Sequence, residues 1–303
     1  MINDTEKRLI SFINKDELVR LTQDLIRIDS VIRPTTGNTE AGVVRFIADW
    51  IRRELGVEPL IEEVVPKREN IIVTFDSGQP GPCLMFEGHT DVVSEGNPDL
   101  WQHGPFEGEI DDGKIYGRGS CDMKAGLAVN LLTVKAMLKS GVEYKGKMRL
   151  GIVCDEEDLM LGIQDYIKKG HADDVDACLV PEPEENQLCL SMKGALRAIV
   201  KVKGKMAHGA MPLTGINTSI RMARIILAFE AFEKAEMEHC GKDEFLGWPS
   251  VTFTVVQSPP PGEPTQLNVM PAESMAYLDI RTIPGQNHEQ VKGQLQEILN
   301  RLA

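Results

Sequence analysis

Apolar positions along the chain follow two periods, and the period changes from segment to segment. Leu18, Leu21, Leu25 and Ile28 recur at the spacing of an amphipathic helix. Val43, Phe46, Ile47, Trp50, Ile51 and Leu55 repeat that spacing behind Asn38 and Thr39, which are candidate N-caps. Four short apolar runs follow: NIIVTF at 70–75, CLMFEG at 83–88, MRLGIVC at 148–154 and DACLV at 176–180. Each is of strand length and bounded by turn residues. Helical stretches near 124–139 and 162–169 separate the later runs. This alternation predicts an α/β fold, a mainly parallel sheet flanked by helices.

The pattern changes after the polar, proline-punctuated stretch PEPEENQ at 181–187. Beyond it the periods predict strand 195–202, helix 216–235, strands 250–257 and 273–281, and helix 287–301, with PPPGEP at 259–264 as a loop between the last two strands. That β-α-β-β-α order suggests a small α+β domain of the ferredoxin-like type. The expected division is therefore 1–187 and 188–303. Asn287 is a candidate cap with Gln290 at the capping-box position, which assigns His288 to a helix start.

Composition narrows the class. The chain has 303 residues, 42% apolar and 26% charged, as in a soluble globular protein with room for two cores. No apolar stretch is long enough to span a bilayer, and the charged N-terminus lacks the apolar core of a signal peptide. The expected location is cytoplasmic, with no membrane partner. Lysine plus arginine is 33 against 46 acidic residues, a net charge of −13, which argues against a nucleic-acid partner. The six cysteines are scattered without a CxxC pair, as in a reduced protein.

Candidate chemistry collects at predicted strand ends. His89 follows the run CLMF, with Asp91 close by as a possible acceptor for its second ring nitrogen; a solvated loop pair fits H-x-D equally. Asp122 stands at the mouth of a predicted helix in GRGSCDMKAG and could equally be a helix cap. Glu156 and Glu157 lie in CDEED, which is either a solvated acidic turn or carboxylates gathered by a metal. Glu182 follows the run ACLV between two prolines. One at a time these are modest signals. Together they place a histidine and carboxylates at successive strand ends of one sheet, where open α/β folds put their sites. A mixed imidazole and carboxylate set suits zinc, cobalt or manganese better than calcium.

The strings GHTDVV, GRGSCDMKAG, CDEE, PEP and NVMPAE…LDIRTIPGQ resemble the M20 metallopeptidase family, from about residue 15 to the end. That family includes acetylornithine deacetylase, succinyl-diaminopimelate desuccinylase, aminoacylase and carboxypeptidase G types. The resemblance implies hydrolysis of an amide bond in N-acyl amino acids or small peptides by a metal-bound hydroxide. It implies two divalent ions, zinc first and cobalt or manganese as alternatives. His89 and Glu182 would bind one ion, Glu157 the other, and Asp122 would bridge them. Glu156 would be the general base and Asp91 would orient His89. Residues 1–187 would be the catalytic domain and 188–303 a dimerisation or lid domain, making a homodimer. There His208 would stabilise the oxyanion across the dimer, and Asn268 and Arg281 would grip the substrate, Arg281 through a carboxylate. Without the resemblance, His208 reads as a loop histidine, Asn268 as a turn residue and Arg281 as a strand-end charge.

One departure stands out. The family carries a further metal-binding histidine near its C-terminus, in a segment that returns to the catalytic domain, whereas this chain ends at NRLA. His103, His171, His239 and His288 do not replace it. The expectation is a shortened chain with one metal position held by His89, Asp122 and Glu182 and a second keeping only Asp122 and Glu157. Such a chain would leave apolar surface open. Three readings follow: a two-metal amidohydrolase, a hydrolase with a single working zinc, and an inactive homologue serving as a dimerisation or ligand-binding module.

Overall fold

The structure is a computed structural model and describes residues 2–303. Its internal contacts divide the chain into two units, the first ending at Gln187 and the second spanning Leu188–Ala303.

The first unit opens with helices α1 (Asp4–Ile10), α2 (Lys15–Ile26) and α3 (Ala41–Leu55). Strands β1 (Leu60–Val65), β2 (Arg68–Asp76) and β3 (Cys83–His89) follow, then a small hairpin of β4 (Glu109–Asp111) and β5 (Lys114–Tyr116). Helix α4 (Lys124–Ser140), strand β6 (Lys147–Val153), helix α5 (Leu161–Lys168) and strand β7 (Ala177–Leu179) complete it. The central sheet runs β1-β2-β6-β3-β7. Pairs β6–β3 and β3–β7 are parallel, while β1–β2 and β2–β6 are antiparallel. The sheet is thus mixed rather than mainly parallel. The cause is local: only Pro66 and Lys67 separate β1 from β2, and so short a link can only fold the chain back on itself. β1 leaves little trace in the sequence because Glu62 and Glu63 interrupt its apolar residues and most of the strand is exposed.

Helices α2, α3 and α4 cover one face of this sheet. Leu25, Val43, Ile47, Trp50, Ile51, Leu127 and Leu131 pack there against Ile71, Val73, Phe86, Leu150 and Ile152. Each such side chain, fully buried, contributes about 1.5–3 kcal/mol. Tyr166 of α5 packs on the other face with Ile72, Met85 and Val153. Of the two candidate caps of α3, Thr39 does reach the helix, its hydroxyl accepting from the amide of Ala41 at 3.4 Å, and Asn38 does not. Asn38 donates its amide to the carbonyls of Asp29 and Val31, so it is not available to the helix, and Glu40 occupies the N-cap without a side-chain cap bond.

The second unit holds β8 (Gly194–Lys203), β9 (Ala207–His208), α6 (Thr218–Cys240), β10 (Ser250–Gln257), β11 (Val269–Met270), β12 (Glu273–Thr282) and α7 (His288–Leu302). β10, β12 and β8 form an antiparallel sheet in that order, and β9 pairs with β11 in a separate short ribbon. Met222, Ile225 and Phe229 of α6 and Val291, Leu295 and Ile298 of α7 pack on Val200, Val251, Ala276, Leu278 and Ile280. Asn287 caps α7, its side chain accepting from the amides of Glu289 and Gln290. His288 turns back to Thr282, ring nitrogen to hydroxyl 2.9 Å. Among the described residues, no helix is long and apolar enough to cross a membrane.

Candidate metal centre

The parallel part of the sheet carries the chemistry. β3 lies between β6 and β7, and all three point their C-terminal ends the same way. His89 ends β3, Glu156 and Glu157 follow β6 on one side, and Glu182 follows β7 on the other. Asp122 comes from the turn before α4. It is not the helix cap: Met123 takes that position, and the Asp122 side chain turns to the histidine instead.

His89 Nε2 lies 3.2 Å from Asp122 Oδ1, 3.6 Å from Glu182 Oε1 and 4.0 Å from Glu156 Oε2. One ligand atom from each of His89, Asp122 and Glu182 falls within 4.8 Å of the others. Glu157 stands outside that trio. The ring of His89 is buried, while Asp122 is half-exposed and Glu182 partly so, which leaves the cluster open on one side. His89 Nδ1 faces the backbone oxygen of Asp91 at 3.0 Å. An N–H on Nδ1 held by that oxygen would leave Nε2 as the metal-binding nitrogen once the Nε2 proton shared with Asp122 is lost.

Asp91 does more than the sequence suggested. Its carboxylate sits 3.4 Å from His89 Nδ1, but its hydrogen bonds come from elsewhere: Oδ1 accepts from the amide of Glu156 and Oδ2 from that of Glu157, each at 3.0 Å. One buried aspartate therefore ties the histidine's loop to the loop bearing both glutamates. Gly126 makes a similar adjustment for Glu182. A Cβ at Gly126 would stand 2.3 Å from the carbonyl oxygen of Pro181, so only glycine lets the Glu182 loop lie against α4.

Carboxylates outnumber cationic groups in this cluster, and the ionisable groups perturb one another. Burial pushes the His89 imidazole down, but its contacts with Asp122 and Asp91 and the field of Glu182 overcome this and raise it to about 11. Burial, and then the neighbouring Asp122, Glu156 and Glu87 carboxylates, push Glu182 up to about 7. Glu157 is also held above the usual range, first by burial and then by Asp122. Asp122 is lowered, chiefly by its hydrogen bond to His89. Carboxylates crowded around one imidazole and forced toward protonation are the electrostatic mark of a cation site. The donor set, one imidazole nitrogen and carboxylate oxygens, fits a divalent transition metal.

In the second unit, the β9–β11 register sets His208 opposite Val269, and the amide of Gly209 donates to the carbonyl of Asn268. The Asn268 carboxamide lies 3.3 Å from His208 Nε2, while Nδ1 of the same ring accepts from the amide of Ala210. Arg281 is gripped by Asp279, two residues before it on β12, with Nε to Oδ1 at 2.6 Å and Nη2 to Oδ2 at 3.0 Å.

Known proteins resemble this chain in sequence and fold. The description "Peptidase family M20/M25/M40" matches residues 85–277, a span that includes every residue named in the metal cluster. The chain belongs to this family. A probable succinyl-diaminopimelate desuccinylase of Staphylococcus epidermidis is 27% identical over 307 aligned positions, covering 96% of this chain and 74% of that protein. The succinyl-diaminopimelate desuccinylase of Methylobacterium radiotolerans is 32% identical over 278, covering 88% and 67%. Among solved structures, an M20 family metallo-carboxypeptidase from Sulfolobus solfataricus superposes with a TM-score of 0.75 at 18% identity, covering 95% of this chain and 76% of that one. A di-peptidase from Saccharomyces cerevisiae gives 0.73 at 17%, covering 98% and 75%. This M20 chain is thus a metallohydrolase by family, of a class acting on amide or peptide C–N bonds, with the mixed α/β fold of those structures.

Proposed function

We propose that this chain hydrolyses the amide bond of a small N-acyl amino acid or peptide, using divalent metal held by His89, Asp122 and Glu182. The observation that carries the reading is the convergence of those three ligand atoms within 4.8 Å, with Glu156 Oε2 only 4.0 Å from His89 Nε2. When bound, the ions supply Lewis-acid polarisation of the scissile carbonyl and a water acidic enough to ionise near neutral pH. The protein's own groups do the rest. Glu156 takes the proton of the attacking water and returns it to the leaving nitrogen. Glu157, held beside it by Asp91, contributes to a second ion together with Asp122. Zinc leads this assignment, with cobalt or manganese as alternatives.

In the second unit, a three-stranded sheet backed by two helices supports the reading of a ferredoxin-like dimerisation or lid domain. There His208, with Asn268 against its ring, would stabilise the oxyanion formed in the site of a second copy of the chain. Arg281 would take a substrate carboxylate in competition with Asp279. The desuccinylases and di-peptidase among the relatives make N-succinyl amino acids and dipeptides the first substrates to try.

A second reading has its own observation. Among the described residues one group of three donors converges, His89, Asp122 and Glu182, and three protein ligands with an open position suffice for a single catalytic zinc. Elemental analysis counts the ions directly, two per chain for the first reading and one for the second. Turnover of N-succinyl-diaminopimelate, N-acetyl amino acids and dipeptides then tests the reaction. Glu156→Gln should lower kcat by about 10²–10⁴-fold with metal content unchanged. Undiminished turnover in that variant removes Glu156 as the base.

A further inference from the structure

The segment from Cys154 to Met160 belongs to no strand or helix, yet its amides are taken by side chains buried beneath it. Asn70 Oδ1 accepts from Cys154 at 3.1 Å, and its Nδ2 donates to the carbonyl of Gly162 at 2.8 Å. Glu40 Oε1 accepts from the amide of Asp155 at 3.2 Å, and Asp91 accepts from Glu156 and Glu157. Asp155 folds back on its own loop, Oδ2 accepting from Leu159 at 3.2 Å and Leu161 at 3.1 Å. Backbone donors in irregular buried chain need such acceptors.

These acceptors concentrate negative charge, since Glu40, Asp91 and Asp155 are all buried. Arg68, at the start of β2, pairs two of them. Its Nη1 lies 2.6 Å from Asp155 Oδ1, and its Nε and Nη2 meet the Glu40 carboxylate at 2.5–3.0 Å. A buried ion pair seldom stabilises a fold more than well-packed apolar residues would. The residue it holds is conformationally unusual: Asp155 adopts the left-handed conformation (φ 63°) where the chain turns from β6 into the two glutamates.

We infer that Arg68 and Glu40 are positioning residues for the metal centre, fixing Asp155 and through it the stance of Glu156 and Glu157. The inference rests on the function proposed above, because it assigns those glutamates to metal and base. Neither Arg68 nor Glu40 belongs to the candidate ligand group of His89, Asp122 and Glu182.

Hydrogen exchange on the metal-free chain, read by mass spectrometry, tests it without turnover. In Arg68→Met, amides of 155–161 should exchange about 10–100-fold faster than in wild type, because local opening becomes easier when the loop's buried acceptors lose their cationic partner. Peptides from α4 and α6 should be unchanged. Arg68→Lys should restore part of the protection. Glu40→Gln keeps the shape without the charge, should shift the same amides in the same direction, and decides the matter alone if Arg68→Met does not fold. Wild-type protection at 155–161, or a loss spread evenly over the first unit, overturns the inference. A parallel Co2+ titration followed by visible absorbance should show weaker or altered binding in the variants. A wild-type chain that takes up no Co2+ sinks the proposed function, while the exchange data still decide whether Arg68 and Glu40 hold the loop.

Discussion

Single residues set the tolerances of the site. Gly126 lies within α4, where glycine costs about 1 kcal/mol relative to alanine. Gly126→Ala should therefore stabilise an ordinary helix. Here the added Cβ would drive the Pro181 carbonyl, and Glu182 with it, away from His89. The expected outcome is a folded protein whose zinc affinity falls by about 10–100-fold, measured by competition with a chromogenic chelator. Unchanged affinity would mean that Glu182 is not a ligand. The residues proposed to hold the metal could be picked out in the sequence because each stands at a strand end or helix mouth, His89 after Gly88 and Glu182 between two prolines. Those behind them could not. Glu40, Arg68 and Asn70 sit in ordinary amphipathic contexts, and their partners lie far along the chain. No local period records such contacts. The carboxylate of Asp91 belongs to the same class: its neighbourhood to His89 could be read, its hold on the Glu156 and Glu157 amides could not.

At the scale of elements, patterning located β2, β3, β6, β8, β10, β12 and α2–α7 to within a few residues, since most of them bury a periodic apolar face, and it found β7 from its apolar composition although that strand is exposed. It missed α1, β1 and the β4–β5 hairpin, which bury little, and with β1 it missed the antiparallel half of the sheet. One element carries an unusual cost. Lys124, in the first turn of α4, is fully buried, and its Nζ donates to the carbonyl of Ile28 at 2.7 Å. Burial, only partly offset by Asp29, lowers its pKa to about 7. The unfolded chain keeps this lysine protonated to about pH 10. Between those limits the unfolded state binds the extra proton, so this group makes stability rise with pH across the window and adds no slope below it. The difference in urea midpoint between wild type and Lys124→Met should accordingly shift in favour of wild type from pH 7 to pH 9, the lower limit being the folded pKa. A difference that does not change with pH would place the Lys124 proton elsewhere.

For the molecule as a whole, the proposed assignment would set proton and metal in competition for one pocket. The metal-free His89, raised to about 11, is protonated at pH 7.5, and Glu182, at about 7, is partly so. Both must lose their protons to bind an ion. Uptake of Zn2+ at pH 7.5 should thus release roughly one to two protons per chain, measured by calorimetry in buffers of different ionisation heat. Release of none would exclude His89 as a ligand. The three donors also come from the ends of β3 and β7 and the start of α4, none adjacent to another in the chain. A nascent or misassembled chain presents them as isolated, weak monodentate groups, and only a sheet with its strands already side by side presents a chelate. On the proposed assignment a cation would therefore bind the finished fold rather than seed it, and its retention would report correct assembly.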